Sequence, residues 1–194
     1  MNIGIYTVVK NISLSECVDK LKNNYIVAYP TESVFGLGCD PSKKYVVKKL
    51  LKLKNRSCNK GFILVASNYS QIREYISESM ISVQNKNVLL NSWPGPITFL
   101  IPARNTVPHW LTGMSRFVAV RISAHASIQG LCNAFGKALI STSANKSGFI
   151  PCRTYTEIVE QFGDNFPVLY GKLGNNKFPT KIINLISGEL IRCA

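Results

Sequence analysis

The chain has 194 residues, 46% of them hydrophobic, which is enough for one well-filled core and fits a single domain over 1–194 better than two. Its 23 lysines and arginines against 10 acidic residues give a formal net charge of +13, which points to anionic partners such as nucleotides or RNA. No stretch approaches the roughly 20 uninterrupted apolar residues of a membrane span, and Met1-Asn2-Ile3-Gly4 lacks a basic-then-apolar leader, so a membrane protein is excluded and a cytoplasmic one expected.

Ser13-Leu14-Ser15-Glu16 has capping-box form, and Leu14, Cys17, Val18 and Leu21 follow at helical spacing, predicting a helix that ends near Asn23-Asn24. The apolar run from Tyr25 to Tyr29 reads as a buried strand. Behind it, Tyr29-Pro30-Thr31-Glu32-Ser33-Val34-Phe35-Gly36-Leu37-Gly38-Cys39-Asp40-Pro41 packs turn-formers, a hydroxyl, a carboxylate and two glycines. It reads as a loop whose backbone can approach a ligand closely. A second helix from Ser42 turns Val46, Val47, Leu50 and Leu53 inward and brings Lys54-Asn55-Arg56 to its end. The strand Phe62 to Ala66 then completes a β-loop-α-loop-β unit.

Helical patterns follow around Ser70 to Ile76 and Ile81 to Leu90. Next come strands from Ile97 to Ile101 and from Phe117 to Arg121, a helix near Ile128 to Phe135, and a strand from Lys137 to Ile140. Between them Trp93-Pro94-Gly95-Pro96 cannot continue a helix and is expected to shape a pocket wall. The tail predicts a helix from Thr154 to Phe162, then short strands including Ile182 to Ile186 and Glu189 to Arg192 around Ser187-Gly188. Alternating strands and helices imply an α/β sheet with flanking helices, and the closing hairpin implies some antiparallel pairing.

The six cysteines Cys17, Cys39, Cys58, Cys132, Cys152 and Cys193 lie far apart with no C-x-x-C pair, so neither a structural metal nor a disulfide framework is expected. No Walker A pattern or dinucleotide fingerprint is present, since Gly36-Leu37-Gly38 is too short for either. His109 and His125, without a suitable serine or cysteine context, read as structural. Lys43, Lys44, Lys48, Lys49 and Lys52 fit either a solvated helix face or an anion-binding one.

Small hydroxyl or basic residues recur at strand ends, where ligands of open α/β sheets commonly sit: Thr31, Arg121 and Ser141-Thr142-Ser143. Lys54, Arg56 and Lys60 suit phosphate or carboxylate oxygens, arginine as a planar fork and lysine as a compact charge.

With Lys54-Asn55-Arg56, Trp93-Pro94-Gly95-Pro96-Ile97-Thr98, Ala119-Val120-Arg121-Ile122 and Ser141-Thr142-Ser143-Ala144-Asn145 in that order, the chain from about Ile26 to Arg192 resembles the TsaC/YrdC family of threonylcarbamoyl-adenylate synthases. The resemblance implies a YrdC-like α/β fold: a twisted mixed parallel/antiparallel sheet with flanking helices around a basic concave cavity. The whole of 1–194 would form a single YrdC-like domain of the short form. It implies condensation of L-threonine, bicarbonate and ATP, with Mg²⁺ as the accompanying ion, to threonylcarbamoyl-AMP and pyrophosphate. Separate threonylcarbamoyl-transfer machinery would then act on position 37 of tRNA. Thr31, Arg121, Ser141 and Thr180 match family positions around L-threonine, and Arg56, Lys60, Ser143, Asn145, Pro151 and Arg192 match positions around ATP. Lys54, near both, and Arg56 would be catalytic. The chain departs from some relatives at Val65 and Phe117.

Three anionic groups crowded together need cations between them, and no covalent nucleophile is required. Two rivals stand beside this reading. A non-catalytic double-stranded RNA- or tRNA-binding protein would also explain the charge, and direct RNA binding remains a partner class for the synthase itself. A carbamoyl transferase is disfavoured by the lack of an attached acylphosphatase or zinc-finger segment.

Overall fold

The computed structural model describes residues 11–193. The N-terminal residues Met1 to Gly4, read above as lacking a leader, lie outside the described residues. Among the described residues ten strands form one sheet: β1 (Asn11–Ile12), β2 (Val27–Pro30), β3 (Phe35–Cys39), β4 (Ile63–Ala66), β5 (Ile97–Pro102), β6 (Phe117–Ile122), β7 (Leu139–Ser143), β8 (Val168–Leu169), β9 (Lys181–Asn184) and β10 (Leu190–Arg192). Their spatial order is β1-β8-β2-β3-β7-β4-β6-β5-β9-β10. Parallel pairs (β1/β8, β2/β8, β4/β6, β5/β9) mix with antiparallel ones (β2/β3, β3/β7, β4/β7, β5/β6, β9/β10), as the sequence implied.

The helices are α1 (Leu14–Lys22), α2 (Lys44–Lys54), α3 (Val83–Ser92), α4 (His109–Thr112), α5 (Ala126–Phe135) and α6 (Tyr155–Phe162). Helix α1 begins with the predicted Ser13/Glu16 capping box, and α6 with a second one from Thr154 and Glu157. Helix α2 buries Val46, Val47 and Leu50, whereas Leu53 is only half buried. The pattern around Ser70 to Ile76 is a short 3₁₀ turn, Tyr69–Ile72.

Two expectations change. The Tyr29-to-Pro41 segment is not a loop: it folds back as β3, antiparallel to β2, with Tyr29 opposite Gly36 and Val27 opposite Gly38. A methyl group at Gly38 would stand 2.6 Å from Cε1 of Tyr29 and 2.9 Å from the Ile140 carbonyl oxygen, so glycine is required there by the tyrosine ring. Likewise Ser141, Thr142 and Ser143 lie inside β7 and not in a loop after it. The βαβ unit is therefore β3-α2-β4, two mutually parallel strands with β7 inserted between them.

Alternate residues of the sheet enter two different cores. Ala28, Leu64, Ala66 and Ile140 pack with Val46, Val47 and Leu50 of α2 and Ile158 of α6. Val27, Tyr29, Val65 and Leu139 pack on the opposite face with Cys17, Val18 and Leu21 of α1 and Ile128, Leu131, Cys132 and Phe135 of α5. Each fully buried aliphatic side chain is worth about 1.5–3 kcal/mol relative to exposure. Four cysteines (Cys17, Cys39, Cys132, Cys152) are buried, and Cys58 and Cys193 are exposed.

Candidate functional site

The face that α1 and α5 cover around Val65 and Leu139 continues beyond them without a helical cover. Strand register places Ser141 opposite Ile63, Ile63 opposite Ala119, and Ala119 opposite Leu100. That row is the floor of a cavity of about 460 Å³. Phe117, Ala119 and Arg121, two residues apart on β6, all face it, together with Gly36 of β3, Ser143 of β7 and Ile182 of β9. Thus the site lies on a sheet face, not beyond strand ends as first expected.

The cavity brings together Thr31, Arg56, Lys60, Arg121, Ser141, Ser143, Pro151, Thr180 and Arg192, all singled out in the sequence. Phe117, one of the two departures noted, also lines it. Val65, the other, is fully buried in the core beneath α5. Thr31 Oγ1 donates to the Val34 carbonyl at 2.6 Å, fixing the turn between β2 and β3. Arg56 Nη2 donates to the Gly61 carbonyl at 2.9 Å and its guanidinium lies 5.3 Å from the Phe62 ring centroid. Its Nε is buried without a hydrogen-bond partner, and burial lowers its pKa. Arg192 donates Nε and Nη2 to the Thr180 carbonyl at 3.1 and 2.7 Å. Its pKa is lowered first by burial and then by the charge of Arg121.

Lys54 and Asn145 are placed differently. Lys54 is the last residue of α2, and Asn55 at φ 50° turns the chain left-handed, so Lys54 and Arg56 diverge. Lys54 is 5% exposed, and its ammonium donates to the carbonyls of Ser143 (2.5 Å) and Asn145 (2.7 Å) and to Asn145 Oδ1 (3.2 Å). Asn145 Oδ1 also accepts from Ser143 Oγ at 2.7 Å, and its amide holds the Lys146 and Phe149 carbonyls. Neither residue is in the cavity lining. Together they fasten the end of β7 to the end of α2. Burial, with Arg56's charge added, pulls the Lys54 pKa down to about 8.

Trp93 and Pro94 do not wall this cavity, contrary to the sequence expectation. They line a separate one of about 440 Å³ with Tyr69, Leu89 and Ile122, and Trp93 is a core residue whose indole donates to the Ile97 carbonyl at 2.7 Å. His125 caps α5, its Nδ1 accepting from Ser127 N at 3.3 Å. The sequence reading gave no role to Glu32, whose Oε2 lies 3.3 Å from Arg121 Nη2. Its place between two cavity-lining residues, Thr31 and Ser33, was the available signal.

Among the described residues, the lining holds four cations and several hydroxyls but no carboxylate, histidine or cysteine. Such a pocket can gather and orient anions. Among the described residues no cluster of three or more His, Cys, Asp or Glu is disposed around a common metal position, and no helix is long and apolar enough to cross a membrane.

Comparison with known proteins gives a concordant result. The model of the Sua5/YciO/YrdC family, described as "Telomere recombination", matches residues 19–194. A threonylcarbamoyl-AMP synthase of Buchnera aphidicola subsp. Baizongia pistaciae is 61% identical over 93% of this chain and 97% of its own. One from Enterobacter sp. (strain 638) is 47% identical over 93% and 95%. The crystal structure of P. abyssi Sua5 complexed with L-threonine superposes with a TM-score of 0.84 at 25% identity, covering 92% of this chain but only 53% of that one. E. coli YciO shares the fold, with a TM-score of 0.78 at 22% identity over 92% and 87% of the two chains.

Proposed function

The chain belongs to the Sua5/YciO/YrdC family, and on that premise we propose that it is an L-threonylcarbamoyladenylate synthase, condensing L-threonine, bicarbonate and ATP with release of pyrophosphate and water. The observation that carries the reading is the cavity's composition: Arg56, Lys60, Arg121 and Arg192 converge with Thr31, Ser141, Ser143 and Thr180, and no acid among the described residues lines the space. The relatives named above as threonylcarbamoyl-AMP synthases and the threonine-bound P. abyssi Sua5 support it.

Threonine carboxylate, the carbamate formed on its amine, and the triphosphate each carry negative charge. At about 4 Å two such charges repel by about 4 kcal/mol at an effective dielectric constant near 20, so reaction needs compensating cations. Arg121 with Ser141 and Thr180 would hold the amino acid, while Arg56, Lys60 and Arg192 would take the phosphates. The carbamate oxygen then attacks the α-phosphorus in line and pyrophosphate departs, with positioning and charge as the protein's contribution. Lys54 and Asn145 act from behind, by holding the β7 end that carries Ser143. With no carboxylate among the described residues of the lining, Mg²⁺ arriving with ATP would take phosphate oxygens and water as ligands, a coordination Mg²⁺ readily accepts.

Within this proposal, residues 1–194 act as one catalytic unit in the cytoplasm, supplying the adenylate to separate machinery that modifies tRNA. The deciding experiment is pyrophosphate release from ATP by purified protein without RNA. Release requiring both L-threonine and bicarbonate supports the reading, and its absence from folded protein supplied with Mg²⁺ refutes it. Direct RNA contact is a second part of the proposal, carried by the exposed lysines of α2, Lys44, Lys48, Lys49 and Lys52, which lie outside the cavity. Affinity falling steeply with salt and indifferent to threonine would mark it.

A further inference from the structure

Three ion pairs join described residues, and only Arg121–Glu32 involves a cavity-lining cation. Both side chains are nearly buried, Arg121 at 7% and Glu32 at 12% exposure. Glu32 itself does not face the cavity. Its Oε1 accepts from Ser123 Oγ at 2.7 Å, and Ser123 Oγ accepts in turn from the backbone N–H of His125 at 3.0 Å. The carboxylate is therefore anchored from the N-terminus of α5 before it reaches Arg121. Neither Glu32 Oε2 nor Arg121 Nε makes a hydrogen bond among the described residues.

The backbone around Glu32 is pinned as well. The carbonyls of Thr31 and Glu32 accept from Gly174 N at 2.9 Å and Asn176 N at 3.0 Å, on the segment that leads to Thr180. A methyl group at Gly174 would stand 2.7 Å from the Glu32 carbonyl oxygen, so the two segments lie in close contact. Glu32 thus sits where three walls of the cavity meet: Thr31 beside it in the chain, Arg121 through its side chain, and the Thr180 segment through its backbone.

We infer that Glu32 is a positioning residue for the amino-acid carboxylate, holding the Arg121 guanidinium in the orientation that receives it; this rests on the synthase reading above. Sign separates this role from a purely electrostatic one. A negative charge 3.3 Å from Arg121 opposes binding of an anion there. If charge were all that mattered, Glu32→Gln would tighten L-threonine. If orientation dominates, the same change releases a buried guanidinium from its acidic partner and weakens threonine by about tenfold, a typical loss when the support behind a binding group is removed.

The test titrates L-threonine calorimetrically into wild type and Glu32→Gln, and measures pyrophosphate release against threonine and ATP in turn. The expected result is a roughly tenfold rise in threonine Kd and KM with the KM for ATP within about twofold of wild type. Ser123→Ala, which keeps the carboxylate and removes its anchor, should shift threonine in the same direction by about threefold and serves if Glu32→Gln does not fold. Unchanged or tighter threonine binding in the variants overturns the inference while leaving the synthase reading intact. An equal loss toward both substrates also overturns it, since that marks general structural damage. Wild type that binds no threonine at all refutes both.

Discussion

Replacing Lys54 by methionine tests whether this lysine acts on substrate or on the protein. The change keeps an unbranched stem in a 5%-exposed site and removes the ammonium from the Ser143 and Asn145 carbonyls. Asn145 Oδ1 keeps Ser143 Oγ as a donor and the Ser143 carbonyl keeps the Asn145 backbone N–H at 3.1 Å, so the Asn145 carbonyl is the main loser. A buried acceptor left without a donor costs about 1–3 kcal/mol, the lost charged hydrogen bond to Ser143 adds to it, and relief of the buried charge offsets part of the total, leaving about 2 kcal/mol. For a chain of this size that lowers Tm by about 4–8 °C. Melting followed by circular dichroism reads it directly, with pyrophosphate release measured well below the melt. The pH dependence supplies a second signature. With the folded pKa down at about 8 and an unfolded value near 10.4, the unfolded state holds more protons between those limits, so this group makes stability rise with pH across about 8 to 10.4. Lys54→Met abolishes that rise. A variant melting within about 2 °C of wild type yet losing about 10²-fold or more in turnover would refute the clamp and place Lys54 on the substrates.

Arg56→Ala should cut turnover by about 10²-fold with the fold retained, since its unpartnered Nε and cavity position leave it free to meet phosphate charge; near-wild-type pyrophosphate release would remove it from the mechanism. Gly38→Ala forces a methyl to within 2.6 Å of the Tyr29 ring and should destabilise by about 1–3 kcal/mol in a denaturant melt; an unchanged midpoint would mean the ring moves aside freely. Asp40 feels an opposing rise from burial, but hydrogen bonds from Lys137 and Ser42 and the charge of Lys137 hold its carboxyl below the usual range. The stability it contributes is present above about pH 4 and lost as pH falls through the folded value, so Lys137→Met should destabilise at pH 7 and have little effect near pH 2. Equal effects at both pH values would contradict that pairing.

Helices α1, α2, α3, α5 and α6 were legible because their signals are local, whereas the pattern around Ser70 to Ile76 gave only a 3₁₀ turn and the short α4 was not foreseen. The capping box at Ser13 and apolar spacing in α2 and α5 fix their helices without reference to the rest of the chain. The Lys54–Arg56 pair shows where that logic stops. Two cations two residues apart invite one shared role, but the left-handed Asn55 between them sends one into the framework and the other into the cavity. Nothing in the spacing alone reports a single positive φ at an asparagine, although asparagine is among the residues that adopt one most readily.

Strands β3 and β7 were misread for a reason that bears on function. Strand patterning assumes that the inward positions are apolar, and here one face of the sheet changes character along its length. Val27, Tyr29, Val65 and Leu139 are apolar where α1 and α5 cover them. On the same face, Gly36, Ser141, Ser143 and Arg121 point into open cavity, where a polar ligand would replace a hydrophobic neighbour. Glycine and serine there resemble turn chemistry only because the sequence does not show which part of a face has a helix over it. Arg121 stands at the boundary, in register with buried Val65 on one side and open to the cavity on the other. A guanidinium at that boundary can neither be fully solvated nor packed as core, so it needs a fixed carboxylate behind it. Glu32, anchored through Ser123, meets that need, and it does so from within the same short segment that supplies Thr31 to the site.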